Sequence, residues 1–109
     1  MTDFPVERVI DAHVHLMPDR LMAAIRDALH DAAGWGFDHP TGRAEMEVEL
    51  TDAGVSQFFA LPYVARPDAA ADLNEWICAA AADSEMAVPF ATVHAEDEDV
   101  GQIVADAFE

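Results

Sequence analysis

Residues Val9–Leu16 read VIDAHVHL, and the fold turns on how this alternation is understood. Val9, Ile10 and Val14 are β-branched, and small or apolar residues alternate with Asp11, His13 and His15, which is the period of a strand. Successive strand residues point to opposite faces, so Asp11, His13 and His15 are expected on one face and Ile10, Ala12 and Val14 on the other. The apolar set can pack beneath helices. The polar set needs partners, because burying a polar group without one costs on the order of a few kcal/mol.

Two histidines separated by one strand residue bring both imidazoles within reach of a single divalent ion. Neutral imidazole is a common ligand for zinc and its neighbours in the first transition row. His-x-His alone is short enough to recur by chance, but here three features add to it. It sits at the C-terminal end of the first strand, where α/β folds place their chemistry. A carboxylate lies two residues upstream, and a loop containing Pro18 follows at once.

Outward from this strand, helical and strand-like segments alternate. Asp19 is expected to cap a helix running to about Ala33, with Leu21, Ile25, Ala28 and Leu29 along one face. The stretch GWGFDHPTG, residues 34–42, has the glycine and proline content of a loop. Arg43 to Ala53 reads as a second helix, stopped by Gly54. VSQFFALPY, residues 55–63, is an almost unbroken apolar run, as in strands covered on both faces of a parallel sheet. Pro67 and Asp68 are expected to open a third helix to about Ser84, with Leu73, Trp76, Ile77 and Ala80 on its stripe. MAVPFATVH, residues 86–94, reads as a third strand, with Pro89 awkward inside it because proline cannot donate to a ladder. Acids in EDEDV then cap a fourth helix, whose apolar face is Val100, Ile103, Val104, Ala107 and Phe108. The order β-α-α-β-α-β-α implies an α/β fold with a parallel sheet, in one domain spanning 1–109.

The chain of 109 residues is 52% hydrophobic, sufficient for a core. Its 22 Asp and Glu face only five basic residues, for a net charge of −17, and all five are arginines. Such a chain repels phosphate backbones and anionic membrane surfaces, so nucleic-acid and membrane partners are not expected. The acids, among them Glu45, Glu47, Glu49 and the run Glu96–Asp99, read as a solvated coat of the kind found on proteins of salt-loving organisms. No basic region followed by an apolar stretch opens the sequence, and the expected location is the cytoplasm. The single cysteine, Cys78, excludes an internal disulfide and is expected to be a buried, inert thiol on the third helix.

VIDAHVHLMPDRL, ALPY at the end of the second strand, and VPFATVHAEDED together resemble the amidohydrolase superfamily of metal-dependent hydrolases, most nearly its amidohydrolase-2 branch, which includes decarboxylases. The resemblance implies the N-terminal part of a (β/α)8 TIM barrel, with His13 and His15 matching the first-strand ligands of a divalent metal, zinc above all. It implies further ligands, a histidine and a catalytic aspartate, on later strands that these residues do not include, since a full barrel takes about 250 residues. Asp11 is suited to orienting a histidine rather than binding metal. His94, at the end of the third strand, is a candidate for the metal or a substrate, and Tyr63 and Arg66 for the rim of the site. The Trp35–His39 loop is placed to overhang it.

The reaction implied is hydrolysis of a C–O or C–N bond, or decarboxylation, of a small-molecule substrate through a metal-activated water. Two other readings stand beside it. The chain can be a non-catalytic part of a split barrel that associates with itself or with a complementary chain through open strand edges. It can also be the start of a TatD-like or PHP-like metal phosphoesterase, families that open on similar motifs.

Overall fold

The computed structural model describes residues 7–34, 36 and 41–108. The element order is β1 (Ile10–His15), α1 (Asp19–Ala33), α2 (Arg43–Asp52), β2 (Gln57–Leu61), α3 (Ala70–Ala82), β3 (Ala87–Pro89) and α4 (Val100–Ala107). The strands form one sheet in the order β1-β2-β3, with both pairings parallel. This is the α/β architecture that the alternation implies. The loop segment expected to overhang the site, including Trp35 and His39, lies outside the described residues apart from Gly36.

The core gathers around the central strand. Phe58 and Ala60 of β2 are fully buried with Leu16 and Ile77, and Val14 joins them. Met46 and Leu50 of α2, Trp76 of α3, and Met86 and Ala87 pack against this cluster while half-buried. Among the described residues, α3 is the helix that contributes buried positions, including Leu73, Ile77, Ala80 and Ala81. Its stripe matches the helical spacing read from the sequence.

The outer helices are less covered than their periodicity suggests. In α1 no residue is buried, and Leu21 is exposed. Ile103 and Ala107 of α4 are half-buried, but Val100, Val104 and Phe108 lie open. β1 also departs from expectation, because Ile10 is 44% exposed and Ala12 is exposed, leaving Val14 as its buried apolar residue. The reason is position: β1 is an edge of the sheet, so one flank of the strand has no neighbouring strand over it among the described residues.

Several element boundaries move for identifiable reasons. β3 stops at Pro89 rather than running to His94, and Phe90 makes the next bond to β2 through its N–H to the Ala60 carbonyl, at 3.1 Å. Beyond it, the backbone of Thr92 is taken by the Asn74 side chain instead of the sheet. α3 begins at Ala70 rather than Pro67 because Asp68 adopts a left-handed conformation, φ 67°, which Asp tolerates better than most residues.

Capping also differs. Pro18, not Asp19, is the N-cap of α1. The Asp19 carboxylate instead accepts the N–H of Arg43 at 3.1 Å, so it caps the first turn of α2 from the preceding helix. The opposite end of α1 closes on Gly34, whose φ of 68° suits glycine and whose N–H bonds the His30 carbonyl at 2.9 Å. In α4, no side chain caps the start, and the acid expected to help there has another role. Asp97 is buried, an exception to the solvated coat.

Candidate metal centre

The site begins with an irregularity in β1. Asp11 pairs with Phe58 and Val14 with Ala60, so three steps along β1 match two along β2. One surplus residue is a β-bulge, which bends a strand and takes a backbone group out of the ladder. Asp11 supplies the missing partner, since its Oδ1 accepts the His13 N–H at 3.0 Å. This local bond from an aspartate to the backbone two residues on is a common one for Asp. The register puts Asp11 in phase with Val14, a departure from strict alternation, and the Asp11 carboxylate reaches His13 through its backbone N–H.

Past the bulge the two histidines converge. Their Nε2 atoms are 3.2 Å apart, and the rings meet edge to face with centroids separated by 4.9 Å. His15 is oriented from behind, because its Nδ1 lies 3.2 Å from the Leu61 carbonyl oxygen at the end of β2. A carbonyl can only accept, so Nδ1 carries the proton and Nε2 of His15 presents its lone pair. His13 then donates from its own Nε2 to His15. Tyr63 stands on the other side of His15, ring centroids 5.1 Å apart.

This geometry can be tested against a metal. Two nitrogen ligands of a tetrahedral zinc, each about 2.0–2.1 Å from the ion, stand about 3.3 Å apart. The Nε2 separation fits one edge of that tetrahedron: the Leu61 carbonyl keeps the His15 proton on Nδ1, and His13 would present its own Nε2 once its proton sits on Nδ1 and its bond to His15 is given up. Two positions of the coordination shell would then be accounted for. No group of three or more His, Cys, Asp or Glu able to hold a metal occurs among the described residues.

Both imidazoles open into a cleft of about 590 Å³. It is lined by residues of β1, α1 and α2 and by Tyr63. Met22, Ile25 and Leu29 of α1 and Met46 and Leu50 of α2 make its lining apolar, and Arg26 and Glu49 add charge. The half-buried side of α1 is thus spent on the cleft rather than on the core. The sequence contains a signal for this wall in the helical spacing of Met22, Ile25 and Leu29, but nothing in it tells a cleft from a core.

The remaining candidates lie elsewhere. Neither His94 nor Arg66 lines the cleft. His94 is committed to the turn before α4: its N–H donates to Asp97 Oδ2 at 2.8 Å, and its Nδ1 accepts the N–H of Glu96 at 3.1 Å. Asp97 also accepts the Asp68 N–H at 2.8 Å, joining the loop after β2 to the loop after β3. Those backbone donors, Asp68 first and then His94, hold the Asp97 carboxyl below the usual aspartate range, with the His94 charge adding and burial opposing. Cys78 is exposed, not buried as its apolar neighbours suggested, because it sits off the stripe that α3 turns toward the sheet.

No family model matches the chain, no curated protein matches it, and no solved structure matches it. Among the described residues, no helix is long and apolar enough to cross a membrane.

Proposed function

We propose that residues 1–109 form the opening βα units of an amidohydrolase-like (β/α)8 barrel, in which His13 and His15 contribute two ligands to a divalent metal, zinc foremost. The observation that carries this reading is the 3.2 Å approach of the two Nε2 atoms at the C-terminal end of β1, with His15 held by the Leu61 carbonyl. That end of a parallel strand is where barrel enzymes place their chemistry. When bound, such an ion lowers the pKa of its water to about 7 and polarises a substrate carbonyl.

The chain's own groups have distinct tasks in this reading. The Asp11 carboxylate keeps the bulge in shape so that the His13 ring meets His15. The Leu61 carbonyl sets the proton on the far nitrogen of His15. Tyr63 limits the space beside His15 and presents a phenol toward a small-molecule substrate in the cleft. The third ligand and the catalytic aspartate belong to elements outside these residues.

A second reading is favoured by the sheet edges. Among the described residues β1 and β3 each have one strand neighbour, and unpaired edges bind further strands. A complementary chain that extends the sheet past β1 would stand beside the histidine pair, and the cytoplasm would suit either reading. The two separate in one experiment. After dialysis against zinc, elemental analysis of the 109-residue chain is expected to show metal retained above background, below one equivalent because the third ligand lies elsewhere, and a His13→Ala/His15→Ala variant almost none. Equal zinc in both proteins would remove the ligand assignment. Zinc retention that appears only above a threshold protein concentration, in step with dimer formation by sedimentation, would favour the associating chain.

A further inference from the structure

The cleft that receives His13 and His15 is also lined by methionines. Four methionines lie among the described residues, and three of them, Met17, Met22 and Met46, border this one cleft. The fourth, Met86, packs against the core and accepts a hydrogen bond from the Thr51 hydroxyl. Met17 follows His15 by two residues and lines the cleft while being only 1% exposed. Thioethers are soft donors and select Cu(I) over harder ions, while imidazole serves both.

We propose that this cleft is a Cu(I) site, with His13 and His15 as nitrogen donors and a thioether from the Met17, Met22 and Met46 wall as the sulfur donor. The inference rests on the reading of the two histidines as metal ligands and goes beyond it in the metal. Zinc in a catalytic site takes three protein ligands and water, more than the described residues bring together. A three-coordinate ion needs only the imidazole pair and one sulfur. In a trigonal arrangement with bonds of about 2.0 Å, two nitrogens stand about 3.5 Å apart, so the Nε2 pair at 3.2 Å would need to open by a few tenths of an ångström. The net charge of −17 raises the local concentration of any cation.

The test is an anaerobic titration of the 109-residue chain with Cu(I), kept reduced by ascorbate, against a chromophoric Cu(I) chelator, run beside a Zn²⁺ titration. One equivalent of Cu(I) is expected. Replacing Met17, Met22 and Met46 together by leucine, which keeps the apolar volume, is expected to weaken Cu(I) by about tenfold or more while leaving zinc uptake unchanged. X-ray absorption of the wild-type Cu(I) protein needs no variant and is expected to show a sulfur neighbour beside the nitrogens. A spectrum with nitrogen neighbours alone, or Cu(I) affinity unchanged by the leucine substitutions, would overturn the proposal. Zinc bound through His13 and His15 with no sulfur at Cu(I) removes this inference and leaves the proposed function standing. Failure to bind either metal removes both.

Discussion

The side chain of Asn74 serves the backbone of Thr92 twice, donating from Nδ2 to the carbonyl at 2.9 Å and accepting the N–H on Oδ1 at 2.8 Å. The amide stands in for a neighbouring strand where β3 has already ended, and it does so while buried in α3. Asn74→Leu fills the volume but leaves both Thr92 groups without this partner, at about 1–3 kcal/mol for each group left unsatisfied. Urea unfolding is expected to show a lower midpoint with an unchanged slope. A midpoint equal to that of the wild type would mean that water replaces the amide without loss.

Asp97 makes stability depend on pH in a defined direction. Its folded pKa lies below the ordinary value. A depressed acid contributes its full stability above the unfolded value of about 3.9, and that contribution fades as pH falls through the folded value. Asp97→Asn lacks the charge at every pH. The stability gap between wild type and variant is therefore expected to be wide at pH 7 and to narrow toward about pH 3, measured by denaturant titration at the two values. A gap independent of pH would assign the effect to packing instead.

The contact between Asp11 and the His13 N–H predicts a split between two substitutions. Asp11→Asn keeps a side-chain oxygen and is expected to retain zinc uptake near that of the wild type. Asp11→Ala removes the acceptor, loosens the bulge, and is expected to weaken zinc by about tenfold, within the range seen when groups that orient metal ligands are lost. Isothermal titration on both variants decides this, and equal affinities would show that the bulge holds its shape without the carboxylate.

With 22 acids to five bases, self-repulsion opposes the compact state, and salt screens it. The reading of the acidic surface as an adaptation to salt predicts a melting temperature that rises steadily from 0.1 to 2 M NaCl. A flat dependence, followed by circular dichroism, would assign the acids another purpose. Local ion pairs offer little relief: Arg26 meets Asp27 at 3.2 Å and Arg43 meets Glu47 at 3.6 Å, and the first of these is largely exposed.

The sequence carried the order of elements well because helices and parallel strands repeat at different periods, and both periods survive in Phe58/Ala60 and in Leu73/Ile77/Ala80. The closeness of His13 and His15 follows from the strand period too. What the sequence left out depends on long-range bonds. Nothing local announces that the Asn74 amide will end β3 early, that Asp97 will reach back to Asp68, or that Asp19 will cap a helix other than its own. The commitment of His94 to a turn is invisible for the same reason, since its position at a strand end looks alike whether the next residues extend or fold back. Cys78 shows the limit of reading burial from neighbours on a helix, where one position of rotation separates core from solvent.

The surplus residue in β1 has a consequence for length. Upstream of it the strand keeps one phase against β2, through Asp11 and Phe58, and downstream another, through Val14 and Ala60. Removing Ala12 leaves both of those pairings available and converts the strand to a regular one, whereas a deletion within Val14–Leu16 slips the buried residues against Phe58 and Ala60. Length is therefore constrained unequally along β1: a residue lost between Asp11 and Val14 leaves the buried side chains in phase with β2, and one lost after Val14 does not.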